Sequence, residues 1–242
     1  MKPWYEIKNV AAGRADIWIY EEIGEDIWGE GIVAKQLVRD LAALDVAEID
    51  VHINSPGGNI FDGEAIYNAL RRHPAQVTTY IDGLAASIAS VIALAGDRVV
   101  MAVNALIMIH DPFGYAVGNA TELRQYAEVL DKIAGTIAAI YVAKSTMDEA
   151  EIRAAMLAET WMDAEEAHTF GFVDEITDAL AVAARFDLSR FHNAPPAVLP
   201  VDATGDSWPE SPDASAGQAT APARGRIFVP AAHRVIHYQE ES

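Results

Sequence analysis

Apolar and polar residues alternate over 15–23 (Ala-Asp-Ile-Trp-Ile-Tyr-Glu-Glu-Ile), the period-two pattern of a strand with one buried face. The period then lengthens. Ile32, Val33, Leu37, Val38, Leu41 and Leu44 are spaced as on one face of a helix over 31–44. A second strand over 49–53 runs into Asn54-Ser55-Pro56-Gly57-Gly58. A helix over 60–72 carries Ile66, Ala69 and Leu70 before His73-Pro74 ends it. Residues 77–81 read as a third strand, Asp82-Gly83-Leu84 as a turn, and 85–95 as a small-residue helix with Gly96 at its C′ position. Strands over 98–103 and 105–110 follow, then a long helix over 120–145 and shorter ones over 148–156 and 163–170, the last closed by Gly171. Strands alternating with helices predict parallel βαβ units in a layered α/β fold.

The pattern stops after Phe191. Residues 193–225 are rich in Pro, Ala, Gly, Ser and Asp and nearly lack large apolar side chains, too few to offset the entropy of ordering the chain. β-forming residues return over 226–238 but cannot fold alone. The expected organisation is a folded domain over 1–191, a flexible linker over 192–225 and a short segment over 226–242 able to dock on a sheet edge.

Composition narrows the function classes. With 242 residues, 51% of them hydrophobic, the chain can build one α/β domain with a sizeable core. Apolar runs such as 88–95 are far too short to cross a bilayer, and no apolar stretch with a cleavage site follows Lys2. Cysteine is absent, which removes disulfides, thiolate metal sites and a cysteine nucleophile. The balance of 17 basic against 36 acidic residues, −19 in all, repels phosphate backbones, so nucleic acid is not an expected partner. The reading is a cytoplasmic globular protein that uses no cofactor or metal and does not enter membranes.

Candidate chemistry sits at strand ends, where open α/β sheets place their ligands. Gly57-Gly58 follows the second strand; paired glycines let backbone N–H groups approach a ligand, although they also mark ordinary turns. Ser87 falls in the first turn of the helix over 85–95, where unpaired amides and the positive dipole end favour a developing oxyanion; taken alone it reads as a cap or spacer. Ser90, one turn deeper, is the weaker candidate. His110 ends an apolar strand before Asp111-Pro112, a place more often structural than catalytic. The coincidence of these features in successive βα units points to one shared rim.

Those segments also carry a resemblance. Ile53-Asn54-Ser55-Pro56-Gly57-Gly58, Gly83-Leu84-Ala85-Ala86-Ser87 and Met108-Ile109-His110-Asp111-Pro112, in this order and spacing, resemble the proteolytic subunit of the Clp protease. Glu159-Thr160-Trp161-Met162-Asp163-Ala164-Glu165-Glu166-Ala167, ending in Phe170-Gly171-Phe172-Val173-Asp174, is similar to that family's closing segment, so the likeness spans 15–176. Trp4-Tyr5-Glu6-Ile7-Lys8 and the Asp82–Ser87 version of the serine motif are closer to phage and prophage members, in which the protease serves head maturation. The resemblance implies a layered ClpP/crotonase-like fold with the long helix protruding, and serine endopeptidase activity on polypeptides. It further implies assembly into stacked homo-oligomeric rings fed by an ATP-dependent unfoldase. The chain has no G-x-x-x-x-G-K-[ST] loop, so any ATP use belongs to a partner.

Carried over residue by residue, Ser87 is the nucleophile, His110 the base, and the amides of Gly57 and Ile88 the oxyanion hole, with Gly58 and Phe113 in the substrate site. The third member departs from the pattern: Glu159 stands where the family usually has aspartate. It can still accept the imidazole N–H, and Thr160 and Asp163 remain alternatives. Asp111 is a poor substitute, because neighbouring strand residues face opposite ways. Rival readings are a crotonase-type acyl-thioester enzyme, a serine–lysine peptidase, and a non-catalytic shell or scaffold with the same fold. The lysines, at 2, 8, 35, 132 and 144, all lie outside the three motifs.

Overall fold

The computed structural model describes residues 5–11, 13–25, 31–32, 34–180 and 186–195. Trp4, the tail from 196 onward and the segment 226–242 lie outside them. The chain order begins β1 (Tyr5–Ala11), β2 (Arg14–Ile19), β3 (Gly24–Glu25), β4 (Gly31–Ile32), α1 (Ala34–Ala42), β5 (Glu48–Ser55) and α2 (Ile60–Arg72). It continues through β6 (Gln76–Ala86), α3 (Ile88–Ala93), β7 (Arg98–Ala102), β8 (Leu106–Ile109) and α4 (Ala120–Lys144). It closes with α5 (Glu149–Leu157), β9 (Thr160–Met162), α6 (Ala164–Thr169) and β10 (Glu175–Thr177).

The main sheet runs β1-β2-β5-β6-β7-β10, with β1 antiparallel at one edge and the other strands of that path parallel. Its middle strands are apolar because helices cover it: Ile49, Val51 and Ile53 of β5 are fully buried, as parallel strands require. Helix α1 turns Ala34, Leu37 and Leu41 inward, α2 turns Gly63, Ile66 and Leu70, and every residue of α3 is buried. Fully burying an isoleucine or leucine is worth about 1.5–3 kcal/mol, so these faces hold the layers together.

Strand β6 is where pattern and structure part. The sequence predicts a turn at 82–84 and a helix from 85, but β6 continues to Ala86 and α3 begins only at Ile88. The reason is a change of neighbour. Thr78 to Ile81 pair with β7; once β7 ends, Leu84 to Ala86 pair with β8. That second partner keeps the backbone of 82–86 satisfied as strand, and the Asp-Gly dipeptide does not turn. The pattern does not single out β1, β9 or β10 either; β9 pairs antiparallel with β8, and β10 parallel with β7.

The long helix is split in environment. Asn119 and Glu122 form a reciprocal capping box at its start, worth about 1 kcal/mol. Residues 120–129 stand exposed except for half-buried Tyr126, whereas Ala134, Ile137, Ala138 and Tyr141 bury the far half against the core. Among the described residues no helix is long and apolar enough to cross a membrane.

Candidate active site

The C-terminal ends of β5, β6 and β8 lie side by side, with Ser55 opposite Ala85 and Ala86 opposite Met108. The residue that follows each strand therefore reaches one rim. Ser87 leaves β6 with φ 56° and ψ −130°, a left-handed conformation that costs a non-glycine residue roughly 1–3 kcal/mol. Its amide is pinned to Met108 O at 2.9 Å, so the strained turn is fixed by the sheet itself. This is a sharp strand-to-helix elbow. Ser87 occupies the N-cap position, one residue before the expected first turn, yet its side chain makes no capping bond. Oγ instead lies 2.8 Å from Nε2 of His110.

Ser90 is fully buried, donates its hydroxyl to Ser87 O at 2.6 Å and meets Tyr141 Oη at 2.8 Å. It is bound into the helix start and is not free to attack a substrate.

His110 emerges from β8 beside the ring of Phe113, 5.8 Å away, and the edge-on ring of Phe191 at 5.6 Å. Burial pushes the imidazole down to about 4; Glu159 opposes the shift and Arg190 adds to it. At neutral pH the ring is therefore uncharged, and with Nδ1 protonated its Nε2 lone pair can accept the Ser87 proton.

Glu159 sits at the turn between α5 and β9, with φ 50° and little exposure. β9 pairs with β8 so that Thr160 lies opposite Ile109, which brings the preceding Glu159 near His110. The expected hydrogen bond from the imidazole does not form. The carboxylate is taken up elsewhere: Oε1 accepts from Trp161 Nε1 at 3.2 Å and from the Asn193 amide at 2.6 Å, and Oε2 accepts from the His192 amide at 2.8 Å. Burial raises this carboxyl, but the amides of Asn193 and His192, the indole and His110 together hold it below its ordinary value. Its influence on His110 is that of a nearby fixed anion. The alternatives are engaged: Thr160 Oγ1 donates to Ala155 O at 2.7 Å, and Asp163 caps α6 through Glu166 N at 2.9 Å.

The glycine pair is revised as well. Gly57, with φ 92°, passes so close to the elbow that a Cβ there would meet Ala86 O and Ser87 Cβ at 2.7 Å. Its amide, the expected oxyanion donor, is given to Ser55 Oγ at 3.2 Å. The Gly58 amide meets no acceptor among the described residues. Gly58 is held by a bridge to Ile23, through Ile23 N to Gly57 O and Asn59 N to Ile23 O, each 2.8 Å. Ile88, the first residue of α3, also presents an amide with no intrahelical acceptor.

A narrow apolar slot beside Ser87 is lined by Ile60, Val91, Ile137 and Tyr141. Phe113, against the His110 ring, is half exposed. No cluster of three or more His, Asp or Glu among the described residues is placed to hold a metal ion.

Sequence reasoning misses Arg190, Phe191, His192 and Asn193. Arg190 Nη2 donates to Pro56 O at 2.9 Å and its guanidinium also pairs with Glu22. The expected boundary at 191 falls inside this segment. A signal was present in the apolar pair Leu188 and Phe191, set just ahead of the composition break; backbone amides leave none.

The family model described as Clp protease matches residues 1–179. The chain is 30% identical to an ATP-dependent Clp protease proteolytic subunit of Bdellovibrio bacteriovorus over 190 residues, 72% of this chain and 90% of that protein. It is 34% identical to one of Deinococcus radiodurans (72% and 91%) and 38% identical to one of Leuconostoc citreum (63% and 78%). Among solved structures, a ClpP1 mutant from Listeria monocytogenes superposes with a TM-score of 0.58 at 23% identity, covering 66% of this chain and 90% of that one. That likeness shows the same fold.

Proposed function

The chain belongs to the Clp protease family and is a serine-type peptidase, and from that premise we propose that Ser87 is its nucleophile, His110 its general base and Glu159 the anion that supports the base. The observation that carries the reading is the 2.8 Å contact between Ser87 Oγ and His110 Nε2 at a strained elbow. Oγ attacks the scissile carbonyl carbon while its proton passes to Nε2. The carbonyl π electrons move to oxygen, where the amides of Gly58 and Ile88 receive the charge. The imidazolium then protonates the leaving amine, and water, activated by the same ring, releases the acyl group.

Ile60, Val91 and Ile137 give the slot beside Ser87 an apolar lining, which favours an apolar side chain before the scissile bond once the slot widens to admit it. A short fluorogenic peptide of that kind is the test substrate. Ser87→Ala and His110→Ala should each lower its turnover by about 10³-fold or more while the far-ultraviolet spectrum stays unchanged. Full activity in Ser87→Ala would remove the reading. A non-catalytic scaffold has no use for the contact between Ser87 and His110.

Polypeptide substrates, assembly into stacked rings and delivery by an ATP-dependent partner extend the reading from the relatives. The exposed first half of α4, with Leu123 and Val129 on its surface, supports such assembly. Head maturation of phage type is the finer reading, supported by the opening 4–8 and the Asp82–Ser87 motif.

A further inference from the structure

The groups that hold Glu159 come partly from a stretch outside the family match, which ends at 179. Residues 186–195 are fastened across the site. Leu188 and Phe191 are buried with Leu84, Ala86 and Met108 in a small second core. The Phe191 ring meets His110 at 5.6 Å and Trp161 at 5.7 Å, each edge to face. Arg190 is tied to Pro56 O and Glu22, and Asn193 Nδ2 donates to Ala158 O at 2.8 Å. The segment thus touches the glycine loop, the histidine and the glutamate turn.

We propose that residues 188–193 are a strap belonging to the catalytic apparatus, in which Phe191 and the amides of His192 and Asn193 are positioning residues that fix His110 and Glu159 relative to Ser87. The proposal rests on the triad reading above. The sheet fixes where each rim loop starts, and the strap adds contacts beyond the strand ends that tie the histidine and the glutamate turn to the glycine loop. A buried carboxylate without donors takes up a proton. The two strap amides and the Trp161 indole remove that cost, so Glu159 stays an anion of fixed place and favours the imidazolium formed during attack. Two charges face His110: Glu159 from the α5–β9 turn and Arg190 from the strap, which disfavours the proton and readies the ring to return it.

The Asn193 amide can be deleted without changing shape by placing the α-hydroxy analogue of asparagine at 193, which makes the 192–193 linkage an ester. Asn193→Pro is the genetic counterpart. With the full chain and a short fluorogenic peptide, kcat should fall about tenfold or more while KM stays within about twofold. The acid limb of kcat/KM should move to higher pH, because Glu159 protonates more readily. Arg190→Gln should move the limb in the same direction by removing a cation from His110. An unchanged rate and limb in the ester, or a lower rate with an unmoved limb, overturns the proposal. Glu159→Gln measured alongside separates the two layers. If it is slow while the ester behaves as wild type, only the strap fails. A wild-type rate in Glu159→Gln removes the triad reading, and the strap with it.

Discussion

As the proposed base, His110 can accept a proton only while it is neutral, and its burial decides over what range that holds. With the folded value near 4 against an ordinary 6.5, the acid limb of kcat/KM should lie well below the usual histidine range. Stability follows the same proton. Between the unfolded and folded values the unfolded chain binds more protons, so stability rises with pH through that window and falls on acidification. Glu159, held below its ordinary value, acts in the same direction at lower pH. Denaturant midpoints at pH 7 and pH 4.5 check this, and a midpoint that rose on acidification would contradict it. The pairing of Ser87 with His110 was legible in the sequence because a serine and a histidine stood at strand ends within recognisable motifs. The surroundings of Glu159 were not, because two of its three donors are main-chain amides more than thirty positions away, and any residue but proline supplies one.

At the scale of elements, the site depends on close approach between neighbours. Gly63 of α2 packs so tightly on α3 that a Cβ would lie 2.2 Å from Ile88 Cγ1. Gly63→Ala should shift the start of α3, and with it the Ile88 amide, lowering kcat about tenfold or more in a protein that still folds. Gly57→Ala should be worse, since the added carbon meets the backbone at Ala86 and the φ of 92° disfavours any side chain. Circular dichroism beside turnover separates these effects from unfolding, and wild-type turnover in Gly57→Ala would contradict the geometry. The helix expected at about 60–72 is found over Ile60–Arg72 with Pro74 behind it, and Asn59, which the pattern did not single out, caps its start. The elbow was misplaced because the strand content of 82–86 depends on β8, 22 residues onward, and no local pattern announces a change of neighbour.

For the whole molecule, the chain was expected to end its fold at 191, where composition changes, yet the amides at 192 and 193 complete the surroundings of Glu159. Ending the chain after Pro195 should preserve turnover of a small peptide, whereas ending it after 185 should cost about tenfold or more; equal rates would show that the strap is dispensable. The layered α/β class was legible from alternating periods, and the rim followed from it, but the crossing of the strap could not, since its contacts reach back to Glu22 and Pro56. The most direct test of the central claim is to react the protein with a fluorophosphonate at neutral pH and locate the adduct by peptide mass spectrometry. A single adduct on Ser87, formed far more slowly in His110→Ala, is the result expected. An adduct on Ser90 or another serine, or none in a folded protein, would contradict the assignment.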